Sequence, residues 1–369
     1  MPVVAGAGMA GLVAAARLLE LGRPARVVEK GDRLGGSMLL SSGVVWRHRS
    51  PEAFRDECPG GDPGLQELLV ARLDEALDWL ERVAGPAVER STGNPRTVGR
   101  RFDPRSLTAA LGRAAGSVAL SEPLVAIPDD DVVLATGGFG VALARERGLE
   151  LRASPWSEGD GLRFASERGA VTAGDLGEFY GRALPAPPAR VGAEDFVRAS
   201  QLYGRFAHVV DDAGKPVFGG EPSWSETDLV QAVARRSGGY AWYVVDAAAC
   251  AQRVRERSVG EMIGVAEELG GEVRHADSLG GLELGPLRSG RLATPPFAAV
   301  RVAAAVTHTL GGLRVDTQAR VLRDRGTAIE GLYAAGADVG GIASGGYASG
   351  LATALVLGLA AAESIAGRG

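Results

Sequence analysis

The chain has 369 residues, 46% of them hydrophobic and 23% charged, the balance of a soluble globular protein with room for two domains. A net charge of −5 argues against nucleic acid or an anionic membrane as partner, and all but Lys30 and Lys215 of the 40 basic residues are arginines. Cys58 and Cys250 are isolated, with no histidine at ligand spacing, so neither a disulfide framework nor a metal site is expected.

The first element is an apolar strand, Val3-Val4-Ala5, running into Gly6-Ala7-Gly8-Met9-Ala10-Gly11. A helical pattern follows from Met9 to about Leu21, then a second strand, Arg26-Val27-Val28, ending in Glu29 with Lys30 beside it. This order is a dinucleotide-binding fingerprint. Gly6 permits the tight turn, Gly8 a close approach to pyrophosphate, and Gly11 close helix–strand packing. The helix N-terminus at Met9 and Ala10 favours negative charge, and Glu29 can accept from ribose hydroxyls.

Gly35-Gly36-Ser37 and Ser41-Ser42-Gly43 come next, small residues suited to a cofactor lying close to the backbone. Leucines at 3–4 spacing mark a core-facing helix over about 64–83. Short apolar segments at 118–120 and 124–127, the latter carrying Val125, precede a buried strand that ends at Ala135-Thr136-Gly137-Gly138-Phe139. Glu158-Gly159-Asp160-Gly161 caps a further helix.

Prolines 185, 187 and 188, and later Thr294-Pro295-Pro296, mark domain boundaries. These give a first part over 1–183, an inserted domain over 184–293, and a return to the first domain over 294–369. The last segment holds His308-Thr309-Leu310-Gly311-Gly312, then a strand running through Gly336-Ala337-Asp338, then a helix from about Gly346. The longest apolar run, about 348–362, is too short to span a bilayer, and the chain opens directly into its first strand. A cytoplasmic protein is expected.

Taken in order, Gly6–Gly11, Glu29, Gly35-Gly36-Ser37, Ala135–Phe139, Gly159-Asp160-Gly161, His308–Gly312 and Gly331–Asp338 resemble the fumarate reductase/succinate dehydrogenase flavoprotein family. Soluble members of that family include fumarate reductases, 3-ketosteroid Δ1-dehydrogenases and tricarballylate dehydrogenase-like proteins. The likeness covers nearly the whole chain. It implies an α/β fold: a Rossmann-like, glutathione-reductase-type FAD domain built from both chain ends, with an inserted capping domain that closes over the substrate.

On this likeness the cofactor-binding residues are Gly6, Gly8, Met9, Ala10, Gly11, Glu29, Lys30, Gly35, Gly36, Ser37, Ser41, Ser42, Gly43, Val125, Ala135, Thr136, Gly137, Asp160, Gly312, Gly336, Ala337, Asp338, Gly350, Leu351 and Ala352. Asp338 would hold ribityl hydroxyls, and the last helix would point its N-terminus at the flavin. His48 lacks the surroundings of a flavinylated histidine, so FAD is expected to be non-covalent. His48, His208 and His275 read as surface or structural residues.

Departures from the family narrow the function. Tyr347 stands where fumarate reductases carry an arginine that clamps a substrate carboxylate, and a phenol cannot replace that bidentate clamp. It can donate to a carbonyl or enolate oxygen, and Tyr347 with Gly350 resembles the ketone-binding pair of ketosteroid dehydrogenases. The proton-delivering arginine of the cap is also missing, since 214–220 reads Gly-Lys-Pro-Val-Phe-Gly-Gly. His308 matches a substrate-facing histidine.

The resemblance therefore implies an FAD-dependent oxidoreductase acting on a CH–CH bond next to a carbonyl. Hydride passes to or from flavin N5, with Tyr347, His308 and Gly350 as catalytic residues. Tyr203 and Tyr243 are candidates by type for moving the α-proton. Two alternatives stand beside this: a carboxylate dehydrogenase of the tricarballylate or fumarate reductase type, and a non-catalytic or partner-dependent flavoprotein. The expected partners are a small-molecule substrate and an external electron donor or acceptor.

Overall fold

The computed structural model describes residues 1–287 and 289–368 and divides into two compact units. The first comprises Met1–Ala142, Ala153–Phe179 and the chain from His308 onward. Its six-stranded sheet has the order Arg320–Leu322, Ala328–Ala334, Val132–Leu134, Val3–Ala5, Arg26–Val28, Val118–Ala119. All neighbours are parallel except the first pair.

The two central strands, Val3–Ala5 and Val132–Leu134, are short unbroken runs of Val, Leu and Ala because both faces are covered, so no polar alternation is needed. The chain steps from Val3–Ala5 outward to one side, then returns to Val132–Leu134 on the other. Ligands of open α/β sheets bind at the carboxyl ends of strands at such a reversal. The turns after Val3–Ala5, Arg26–Val28, Val132–Leu134 and Ala328–Ala334 all open on that edge.

Two helices lie together behind the first strand, Met9–Glu20 and Gly350–Ala366. Their Ala and Gly content has a packing cause: a β-carbon on Gly358 would stand 2.8 Å from the Ala10 carbonyl oxygen. Leu12, Leu18, Leu355 and Leu357 are fully buried between these layers, each contributing about 1.5–3 kcal/mol. The leucine-striped helix spans Pro63–Ala84, started by Asp62, whose side chain accepts from Leu65 N, and stopped at Gly85.

The second unit, Leu143–Arg152 with Tyr180–Thr307, is built on a long strand, Phe297–Thr309, whose last two residues belong to the first unit. Within the sheet, Tyr240–Val245 and Val273–Ala276 flank that strand in antiparallel fashion, and His208–Val210 extends the edge. Val210, Trp242, Val244, Leu282, Leu284, Phe297 and Ala299 form a core here.

The expected boundaries at 184 and 294 fall elsewhere. Pro185 closes strand Phe179–Pro185, which pairs with Phe297–Thr309, and Pro295-Pro296 immediately precedes that long strand. Prolines here punctuate strand ends, and the units divide at 179/180 and 307/308. Among the described residues no helix is long and apolar enough to cross a membrane.

The apolar segment 124–127 is irregular, and Val125 is 82% exposed. One further expectation needs correction. The last helix begins at Gly350 rather than Gly346, because Ser349 caps it by accepting from Ala352 N at 3.3 Å. Gly346 instead sits in an irregular turn, where a β-carbon would run into the Glu57 carbonyl. Tyr347 therefore lies on a loop three residues before the helix.

Candidate active site

The glycine turn shows which atoms each glycine accommodates. Gly6 has φ +109°, and a β-carbon there would overlap the Ala135 carbonyl. One on Gly11 would overlap the Gly6 carbonyl. Gly8 differs: the nearest protein atom to its added β-carbon is Gly35 O at 3.9 Å. Protein packing thus requires glycine at 6 and 11, whereas no protein atom crowds Gly8. No side chain caps the helix that begins at Met9, so its first-turn N–H groups suit an external anion. Gly35 bridges Gly8 in parallel register, and Gly35 N donates to Ala7 O at 2.8 Å, bringing both glycine turns to one place.

Glu29 is buried, and its carboxylate accepts from Ala7 N at 2.7 Å and Gly31 N at 2.6 Å. These bonds hold it at the strand end, with remaining lone pairs able to take hydroxyl donors. Lys30 pairs with Glu158 and with Asp160 Oδ2 at 2.9 Å, so two expected cofactor residues bind each other. Ser37 Oγ accepts from Ser154 N at 3.0 Å. Ser41 Oγ donates to Met38 O and accepts from Gly43 N, shaping the turn that follows. A β-carbon on Gly43 would overlap the Phe102 carbonyl.

Asp338 is 2% exposed, and its carboxylate takes Thr136 N, Thr136 Oγ1 at 2.8 Å and Gly137 N at 3.2 Å. Burial pushes its pKa up against those bonds. Its carboxylate ties the Ala135–Gly138 turn to the Gly336–Asp338 turn. Gly161 makes room for this junction, since a β-carbon would lie 2.5 Å from Asp338 Oδ1. Gly312 and Gly336 serve the same turn: added β-carbons would meet Asp338 O at 2.6 Å and Ala10 Cβ at 3.0 Å.

His308 and Gly350 meet at the start of the C-terminal helix, and Tyr347 lies on the loop that leads into it. A β-carbon on Gly350 would stand 3.3 Å from His308 Cε1. Beside them is a cavity of about 30 Å³ lined by His308, Leu310, Ala337, Ile342, Ala348 and Gly350, room for one water. Thr309 Oγ1 and Ser344 Oγ are buried nearby in the same unit without partners among the described residues. Desolvation pushes His308 down to about 4, so the ring is neutral at neutral pH, and the partial positive charge of the helix N-terminus also opposes imidazolium. Leu351 and Ala352 form the helix's first turn.

Of the histidines expected to be surface or structural, one lies beside Tyr347. His48, expected to be surface or structural, is 2% exposed, and its Nε2 lies 3.1 Å from the Tyr347 carbonyl. Trp46 places its ring 5.2 Å from the Tyr347 ring at 62°. A signal was available: strand period 2 puts Trp46 and His48 on one face, and their rings are 5.3 Å apart. Tyr203 and Tyr243 lie fully buried in the second unit, rings 5.6 Å apart and edge-on, with hydroxyls unpartnered among the described residues. Burial raises both well above the ordinary tyrosine range.

Comparison with known proteins agrees with this geometry. The family model described as FAD binding domain matches residues 2–119 and 83–352. The chain is 24% identical to the NADH:fumarate oxidoreductase of Klebsiella pneumoniae over 96% of its own length and 46% of the relative's. It thus spans about half of that protein. It is 25% identical to the fumarate reductase (cytochrome) of Shewanella frigidimarina over 92% of this chain and 72% of that one. The solved 3-ketosteroid Δ1-dehydrogenase of Sterolibacterium denitrificans superposes with TM-score 0.75 at 17% identity, covering 100% and 99% of the two chains, which shows a shared fold. The chain therefore belongs to the FAD-binding domain family, and its cofactor is FAD.

Proposed function

We propose that the protein is an FAD-dependent oxidoreductase acting on a CH–CH bond beside a carbonyl group. The observation that carries this reading is the His308 ring lying on Gly350, with Tyr347 three residues ahead on the adjoining loop. FAD would rest on Gly6–Gly11 and Gly35–Ser37, on the Ala135–Gly137 turn, and on the first turn of the last helix. When bound it supplies a two-electron acceptor or donor for hydride at the substrate β-carbon.

The chain's own residues handle charge and orientation. The Tyr347 hydroxyl donates to the substrate carbonyl, and neutral His308 adds a donor without bringing positive charge into the site. Both stabilise negative charge that grows on oxygen as the α-proton moves. A second donor aimed at a developing enolate is commonly worth about 10²–10³ in rate. Tyr203 and Tyr243 are poor candidates for the α-proton, given their burial and raised pKa values.

A carboxylate substrate is the second reading, favoured by the fumarate reductases among the relatives. Anaerobic spectroscopy decides between them. Oxidised protein is mixed with saturated ketones, acyl compounds and succinate, and the flavin band near ~450 nm is followed. Reduced protein is then tested with enones and fumarate. Reaction with the ketone–enone pairs and not with succinate or fumarate is expected. Reaction with the dicarboxylates alone would replace this reading with the second.

A further inference from the structure

Tyr347 sits on an irregular loop, 341–349, so its orientation depends on what grips the loop from outside. Three alternate residues of strand Val44–His48 do so. Ser349 Oγ lies 3.4 Å from Val44 O and 3.5 Å from Trp46 N, and His48 Nε2 is 3.1 Å from Tyr347 O. The strand is itself fixed, paired antiparallel with Thr97–Arg101 from Val44↔Arg101 to His48↔Thr97. A carbonyl can only accept, so His48 Nε2 carries the proton and donates. The last helix begins its own ladder at Ser349, whose carbonyl accepts from Thr353 N. The Tyr347 carbonyl precedes that ladder and is bonded by His48 instead.

We propose that His48 is a positioning residue for Tyr347. Its Nε2–H fixes the Tyr347 carbonyl, while the Trp46 ring, 5.2 Å away, fixes the phenol, so the strand sets the direction from which the hydroxyl meets a carbonyl oxygen. This rests on the reading of Tyr347 as the substrate's hydrogen-bond donor. Burial keeps the His48 pKa below the ordinary histidine value, so the donor is uncharged at neutral pH and adds no cation beside the phenol. His48 packs its other face on Phe54, ring centroids 4.7 Å apart, which fixes the imidazole in turn. A phenol displaced by about 1 Å loses on the order of a hundredfold in rate.

The test uses FAD-loaded protein with ring-labelled tyrosine, followed by NMR. There are six tyrosines, and Tyr347→Phe identifies the signal of interest. His48→Leu is expected to shift and broaden that signal while the buried Tyr333 signal stays in place, and His48→Gln, which keeps an N–H donor, is expected to restore it partly. A Tyr347 signal unchanged in His48→Leu overturns the proposal. Should that variant fail to fold, nitrogen NMR of the wild-type histidines still decides: Nε2 protonated and neutral at pH 7 is expected, and a bare Nε2 overturns it. With any ketone that bleaches the flavin, His48→Leu is expected to slow bleaching tenfold or more in the Tyr347 protein and by less than twofold in Tyr347→Phe. Equal slowing in both backgrounds contradicts positioning through Tyr347. If Tyr347→Phe alone leaves bleaching unchanged, the reading of Tyr347 fails, while the NMR result still judges His48 separately.

Discussion

A β-carbon added to Gly350 would stand 3.3 Å from Cε1 of His308, so the imidazole lies against the first residue of the C-terminal helix. The contact joins two motifs that are 42 positions apart in sequence, counting from 308 to 350. It leaves position 350 with no room for a side chain unless the ring moves. Glycine there costs about 0.4–1 kcal/mol relative to alanine through the greater freedom of the unfolded chain, which makes its presence a matter of the site rather than of the helix.

Gly350→Ala is therefore expected to keep FAD and to melt within about 1 kcal/mol of wild type, since the less flexible unfolded chain offsets the crowding. Flavin reduction by a reacting ketone should slow tenfold or more because His308 is displaced. Thermal melts and stopped-flow bleaching on the same preparation check both parts.

The three glycines of the first turn should separate folding from cofactor binding. Gly8→Ala meets no protein atom closer than 3.9 Å, so the apoprotein should unfold as wild type does while FAD content falls at least tenfold. Gly11→Ala, whose β-carbon would overlap the Gly6 carbonyl, should destabilise the apoprotein itself. Urea unfolding of apoprotein and the flavin-to-protein absorbance ratio give the comparison.

Glu29→Gln replaces an all-acceptor group that takes Ala7 N and Gly31 N with one whose amide nitrogen must face a donor. The buried mismatch should cost about 1–3 kcal/mol of stability and weaken FAD retention. Glu29→Asp, keeping the charge on a shorter arm, should recover part of the FAD affinity, as fluorescence titration with FAD would show.

The pH dependence of the apoprotein carries the mark of His308. Its folded pKa of about 4 lies below the unfolded value of 6.5, so between these limits the unfolded state binds more protons. Stability is full above about pH 6.5 and falls as the pH drops toward 4, by up to roughly 3 kcal/mol from this group. His308→Asn should remove the part of the slope that His308 contributes, leaving that of His48 and His208, whose pKa values burial also lowers. Urea midpoints measured across this range for both proteins provide the check, and identical profiles would count against a buried neutral His308.

Much of the cofactor frame was legible in the chain because it rests on local rules. The glycine turn, its helix and Glu29 lie within one strand–helix–strand unit, and period and spacing suffice to read it. The Asp338–Thr136 junction was not legible, since it forms between turns 202 positions apart whose strands become neighbours only in the folded sheet. Prolines 185 and 295 misled in a different way: they end and begin strands of the second unit instead of bounding it. The contact of His48 with Tyr347 was not legible because the two lie 299 positions apart, although Trp46 two residues earlier shares the strand face of His48. The sequence suggests an earlier start for the last helix because Gly345, Gly346 and Ala348 share its small-residue character, and only the Ser349 cap shows where it begins.

The most direct test is the rate of anaerobic flavin bleaching by a reacting saturated ketone, measured in wild type and in Tyr347→Phe with equal FAD content. The change removes one hydroxyl, and the half-buried ring keeps its contact with Trp46. A loss of about 10²-fold or more is predicted, the size expected when a donor to the developing enolate is removed. A rate within twofold of wild type, or bleaching confined to dicarboxylates, would contradict the account.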